Sequence, residues 1–157
     1  MSLISRILVP TDFSEYAHSA LTYAASIADK FDAALLLVHI YASPVIPVPD
    51  GYVIVSATEL VDMRQRLSDG LERDKDRALA AGARTVETAL VDGLPWEQIV
   101  KTAHDRTCDL IVMGTHGRTG LSHLIIGSTA EKVVRKATCA VLTVGPRVAK
   151  QKSIVAP

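Results

Sequence analysis

Short aliphatic blocks alternate along this chain with longer stretches in which apolar positions recur every three or four residues. Leu3 to Val9, Ala33 to Tyr41, Leu110 to Met113 and Ala140 to Val144 are the aliphatic blocks, each of strand length. Arg84 to Val91 alternates instead, with Val86, Thr88 and Leu90 set against charged or small partners, and predicts one more strand. The helical periods lie between them. Glu15 to Phe31 gathers Ala17, Ala20, Leu21, Ala24 and Ala28 into a narrow face of small residues. Ala57 to Ala81 turns Leu60, Met63, Leu67 and Leu71 inward and its charges outward, and Gly82 suits its end. Pro95 opens a helix striped by Trp96, Ile99, Val100 and Ala103. Ala130, Val133, Val134 and Ala137 stripe the last one. Strands alternating with helices predict βαβ units, and so a parallel sheet covered by helices on both faces.

The breaks in this pattern carry the chemistry. Pro10 ends the first strand, and Thr11-Asp12-Phe13-Ser14 forms the turn, with Asp12 or Ser14 available to cap the next helix. Ala42 to Ser56, with Pro44, Pro47, Pro49 and Asp50-Gly51, is the least regular segment and reads as a surface excursion. The stretch from Asp109 to Lys136 reads strand, glycine-punctuated loop, helix, with Gly114, Gly117 and Gly127 as the punctuation. Ser128-Thr129-Ala130-Glu131 fits the capping box that begins a helix. The first N–H groups of a helix have no intrahelical partner and carry the positive end of its dipole, so this loop–helix junction favours an anion. A phosphate at Gly127-Ser128-Thr129, closed over by the Gly114–Gly117 turn, would use both effects.

Composition narrows the classes further. The chain has 157 residues, the size of one domain with its own core, and its 17 Lys and Arg balance its 17 Asp and Glu. A neutral balance lacks the basic footprint of a nucleic-acid binder and leaves self-association unopposed by repulsion. Cys108 and Cys139 have no metal or redox spacing and read as reduced structural thiols. The start has no signal-peptide core and no apolar run approaches a membrane span, which predicts a cytoplasmic location with no membrane partner.

The spacing Gly114-x2-Gly117-x9-Gly127-Ser128 is neither a Walker loop nor a dinucleotide fingerprint. It resembles the nucleotide-binding signature of the universal stress protein family. The resemblance extends to Ile7-Leu8-Val9-Pro10-Thr11-Asp12-Phe13-Ser14 and to the strand ending Val38-His39-Ile40, and it covers essentially the whole chain. It implies a Rossmann-like, adenine nucleotide alpha hydrolase-like fold with the five strands in the order 3-2-1-4-5. Residues 1–146 would form the nucleotide-binding domain and residues 147–157 a frayed tail. It implies ATP, or ADP or AMP, as ligand, together with Mg²⁺. Pro10, Thr11 and Asp12 match positions that face the adenosine, and Ile40 matches one that packs on the adenine. Met113 and Gly114 match the end of the fourth strand. Gly117, Gly127, Ser128 and Thr129 match positions that hold ribose and phosphates.

His116 and Arg118, inside the glycine loop, either donate to phosphate oxygens or stand as exposed loop side chains. Asp12 either caps a helix or meets the ligand, through ribose hydroxyls or a magnesium ion. His39 reads as a core histidine, and His18, His104 and His123 have no metal-like spacing. Neither H-x-G-H nor S-G-G-x-D-S occurs, so an adenylyltransferase or ATP pyrophosphatase of a related α/β group is the weaker reading. A nucleotide-dependent regulatory protein of the stress-response type, hydrolysing ATP slowly at most, is the stronger one. A nucleotide-free dimeric partner protein is the third. The uncharged, proline-free strand Ala140–Val144 would lie at a sheet edge in the family's order and could pair with its own copy in a homodimer.

Overall fold

A computed structural model describes residues 3–117 and 126–145. In chain order it contains β1 (Arg6–Pro10), α1 (Glu15–Phe31), β2 (Ala34–Tyr41), β3 (Val45–Val48), β4 (Gly51–Ile54) and α2 (Ala57–Ala80). There follow β5 (Val86–Asp92), α3 (Pro95–Asp105), β6 (Leu110–Gly114), α4 (Ser128–Lys136) and β7 (Ala140–Val144). The main sheet is parallel and runs β5-β2-β1-β6-β7. Counted along the main-sheet strands alone, that is the expected order 3-2-1-4-5. The fold is an open, Rossmann-like α/β sheet.

Alternation inside the aliphatic blocks explains why both faces are covered. Ile7, Val9, Leu35, Leu37, Leu110 and Val112 point to one face, where they pack with the alanines of α1 and with Leu71 and Ala78 of α2. Leu8, Leu36, Val38, Ile111 and Met113 point to the other, against Ile99 and Ala103 of α3 and Ala130 and Val133 of α4. The α1 residues Ala17, Ala20, Leu21, Ala24 and Ala28 are all buried, as their spacing predicts. Among the described residues no helix is long and apolar enough to cross a membrane.

Four expectations need correction. First, β1 begins at Arg6 rather than Leu3, which is 83% exposed. Pairing with β2 starts at Arg6, and the Asp109 carboxylate takes the N–H groups of Ser5 and Arg6 just before it. Second, the proline-rich segment contains an antiparallel hairpin, with Val48 opposite Gly51 across Pro49-Asp50. Proline argued against strands there, but in a two-stranded ribbon each strand is an edge, so Pro47 needs no ladder donor. Third, along α2 Leu71 is buried, whereas Leu60, Met63 and Leu67 are half-buried. A helix of 24 residues is about 36 Å long and outreaches strands of this length, so its first turns extend past the sheet. Fourth, Val134 is 49% exposed and lies off the buried stripe of α4. The expected tail lies outside the described residues.

Asp109 joins the amino end of β6 to that of β1. Its Oδ2 accepts from Ser5 N–H and Ser5 Oγ, both at 2.7 Å, and from Arg6 N–H at 3.0 Å. The Ser5 backbone bond first, then the Ser5 hydroxyl and Arg6 N–H, hold its carboxyl below the usual carboxylate range. A depressed folded-state pKa gives stability that is present above the unfolded value near 4 and lost as pH falls through the folded one. Asp109→Asn is therefore expected to cost on the order of 1 kcal/mol at pH 7, after allowance for solvent screening. Urea unfolding across pH should show that difference shrinking below about pH 4.

Candidate functional site

Because β1 and β6 are parallel neighbours, the loops leaving their carboxyl ends emerge side by side. Between them is a cavity of about 270 Å³. Of the residues singled out from the sequence, Pro10, Thr11, Asp12, Ile40, Met113, Gly114, His116, Gly117, Gly127, Ser128 and Thr129 all line it. Arg118 lies outside the described residues.

The first loop is built from polar contacts to its own backbone and to the neighbouring strand. Thr11 N–H continues the ladder by donating to Val38 O at 2.9 Å. Ser14, not Asp12, caps α1: its hydroxyl accepts Ala17 N–H at 3.2 Å. Asp12 Oδ1 accepts Ser14 N–H at 3.0 Å, which fixes the carboxylate at the mouth of the cavity. His39 is a buried histidine with a partner, its Nδ1 lying 2.8 Å from Thr11 O. That carbonyl can only accept, so Nδ1 carries the proton.

The second loop closes on itself at its base. Gly127 N–H donates to Thr115 O at 2.6 Å, and Thr115 N–H donates to Val144 O at 3.1 Å. Gly127 is the N-cap of α4, and no side chain caps it. The sequence suggested Ser128 as the capping residue, whereas Ser128 is the first residue of the helix proper. Helical hydrogen bonding reaches only Glu131 N–H, which bonds Gly127 O at 2.9 Å, so the N–H groups of Ser128, Thr129 and Ala130 precede the first intrahelical bond. All three residues face the cavity. His116 also lines it, with Nδ1 2.9 Å from Thr115 Oγ1 and its ring tilted 5.6 Å from Tyr16.

The lining also includes Ala17, Pro95, Ile99, Thr115 and Ala130, which sequence reasoning did not assign to the site. For Pro95 and Ile99 a signal existed. They open the helix after β5, and β5 lies beside β2, so that helix must start next to Ile40. The cavity thus has an apolar wall of Ile40, Pro95, Ile99 and Met113, and a polar rim of Asp12, His116, Ser128 and Thr129. It suits a ligand with a flat apolar part and an anionic part. Among the described residues no group of three or more His, Cys, Asp or Glu could hold a metal ion. The cysteines stand at the amino ends of β6 and β7, away from the cavity, and burial pushes the Cys108 thiol up to about 11 and raises that of Cys139. Both therefore stay protonated near neutral pH.

Two glycines permit close approach in different ways. A Cβ on Gly117 would lie 2.9 Å from Asp12 Oδ2, the terminal atom of a side chain rather than backbone. A Cβ on Gly127 would lie 3.0 Å from Thr115 O, a backbone atom fixed in the loop closure. Gly117→Ala should therefore cost under about 1 kcal/mol, whereas Gly127→Val should cost about 1–3 kcal/mol. Denaturant unfolding of the two variants checks that order.

The model of the universal stress protein family matches residues 4–145. A universal stress protein of Methanocaldococcus jannaschii is 34% identical over 144 residues, covering 91% of this chain and 83% of its own length. Universal stress protein UspA from Lactobacillus plantarum has a TM-score of 0.76 at 27% identity, over 90% of this chain and 97% of that one. A universal stress protein solved in complex with cAMP has a TM-score of 0.71 at 26% identity, with the same coverage.

Proposed function

The chain belongs to the universal stress protein family, and on that footing we propose that it binds an adenine nucleotide, ATP with Mg²⁺, in the cavity between the first and second loops. One observation carries the reading: the start of α4, capped by a glycine and no side chain, opens into the same cavity as Asp12 and the apolar wall. In this reading the adenine packs on Ile40, Pro95 and Ile99, and the ribose lies near Asp12. The phosphates meet the N–H groups and hydroxyls of Ser128 and Thr129, with His116 as a further donor. The cAMP complex of a related protein supports an adenine nucleotide as the ligand class.

Mg²⁺ fits this site in one form. Asp12 is a single carboxylate at the cavity mouth, so the protein supplies one ligand and the nucleotide phosphates the others, as magnesium commonly accepts. The ion would neutralise phosphate charge there. The sequence carries neither the H-x-G-H nor the S-G-G-x-D-S element of the related nucleotide-dependent enzymes, which supports a regulatory protein that reads the nucleotide over a dedicated enzyme. Titration calorimetry with MgATP is expected to show sub-millimolar binding, and turnover well below the enzyme median of about 10 s⁻¹. No heat at millimolar MgATP would remove this function.

A homodimer through β7 belongs to the same proposal. β7 is the edge of the main sheet, and Ala140 and Leu142 on it are exposed, Leu142 by 36%. Val141 packs inward against the α3–α4 face, so the outward side of the strand is the one offered. Leu142→Lys should convert a dimer at tens of micromolar to a monomer by light scattering, with the melting temperature lowered only by the loss of the partner's contribution. A wild-type monomer mass would overturn the dimer.

A further inference from the structure

Behind the first loop sits a charged side chain that nucleotide contact leaves without a role. Asp74 of α2 is 2% exposed. Its Oδ2 accepts the Thr11 hydroxyl at 2.7 Å. Its Oδ1 lies 3.0 Å from His18 Nε2 and 3.7 Å from Arg77 Nε. Burying a carboxylate is costly even when it is paired, and an apolar residue would fill this core-facing position of α2 more cheaply. Leu71 and Ala78, on the same face one turn either side, are such residues.

The contact acts on the turn that presents Asp12. Thr11 Oγ1, while donating to Asp74, accepts Phe13 N–H at 3.1 Å. Phe13 has φ 65°, in the left-handed region that costs a side-chain-bearing residue roughly 1–2 kcal/mol. Two residues hold its ring. His39 stacks on it at 4.5 Å between centroids and 24° between planes. Gly70 of α2 lies so close that a Cβ there would sit 2.9 Å from the ring. Gly70 and Asp74 are one helical turn apart, so a single face of α2 offers a notch for Phe13 and an acceptor for Thr11. Asp12 stands between those two anchored residues.

We propose that Gly70 and Asp74 are positioning residues for nucleotide binding, which lock the Thr11–Phe13 turn in the strained form that aims Asp12 into the cavity. The proposal rests on the reading of that cavity as an adenine-nucleotide site. Loss of the lock would leave the phosphate end intact and release the turn at the nucleoside end. Titration calorimetry with MgATP on the wild type, Asp74→Ala, Asp74→Asn and Gly70→Ala tests it. Asp74→Ala should weaken MgATP about tenfold, the size of one lost hydrogen bond. Asp74→Asn keeps an acceptor for the Thr11 hydroxyl and should recover affinity to within about threefold of wild type. Gly70→Ala raises helix propensity and touches no cavity residue, so it should fold well and still lose affinity by displacing Phe13. Folded Asp74→Ala with wild-type affinity overturns the proposal while the nucleotide site stands. If Asp74→Ala does not fold, wild-type affinity in Gly70→Ala overturns it instead. A wild type that binds no MgATP removes the site and the proposal together.

Discussion

The parallel pairing of β1 with both β2 and β6 is the constraint on which the rest of this molecule depends. Parallel strands place like ends together, so the connections leaving β1, β2 and β6 have to converge above the middle of the sheet. The central walls of the cavity follow from that convergence. Asp12 comes from the loop after β1, Ile40 from the end of β2, and Gly114 to Gly117 from the end of β6. The pairing in turn depends on complete burial of the central strands, since Leu8, Leu36 and Ile111 serve one face while Ile7, Leu35 and Leu110 serve the other. A polar residue at any of these positions would lack a partner on whichever face it met.

Burial fixes the strands but leaves the loops undetermined, and the two loops solve that problem differently. Among the described residues the base of the second loop is closed by backbone, through Gly127 N–H on Thr115 O and Thr115 N–H on Val144 O, with the Thr115 hydroxyl also donating to Val144 O. It needs a glycine because the closure brings two backbones into contact. The first loop is held by side chains from two other elements: Asp74 of α2, itself paired with His18 of α1, and His39 of β2. Strain at Phe13 is balanced there by stacking and by hydrogen bonds that a simple turn would lack. One loop is thus fixed locally, whereas the other depends on packing across the whole α1–α2 face.

That difference explains what was legible in the sequence. Aliphatic runs and small-residue stripes announce strands and α1 because their burial is a property of each segment alone. The glycine spacing announces the second loop for the same reason, since close backbone approach needs glycine at fixed separations. Asp74 gave no such signal. It sits in a run of charges, Glu72-Arg73-Asp74-Lys75-Asp76, and only tertiary packing distinguishes it from its solvated neighbours. The hairpin from Val45 to Ile54 was hidden because its prolines argue against strands in any sheet wider than two. Pro95 and Ile99 were legible only through the strand order. They face the cavity only because β5 lies next to β2, a fact of strand order rather than of local pattern.

Ser128 shows how a correct motif can carry a displaced role. Ser-x-x-Glu suggested a hydroxyl turned back onto its own helix, which would cover one of the donors an anion needs. In the structure the cap moves one residue earlier, to Gly127, whose missing side chain leaves the first turn of α4 uncovered. The serine then stands at the first helical position, lining the cavity beside Thr129. Glycine followed by serine is therefore more than a turn followed by a cap. Glycine ends the loop without supplying an oxygen of its own, and the hydroxyl next to it joins the N–H groups it would otherwise have satisfied. A capping serine at position 127 would gain only roughly a few tenths of a kcal/mol over glycine as a cap, would press its Cβ on Thr115 O, and would occupy a donor that the cavity presents. At this junction a helix cap and a ligand in the cavity would compete for the same N–H groups, and the sequence at 127 and 128 leaves those groups open to the cavity.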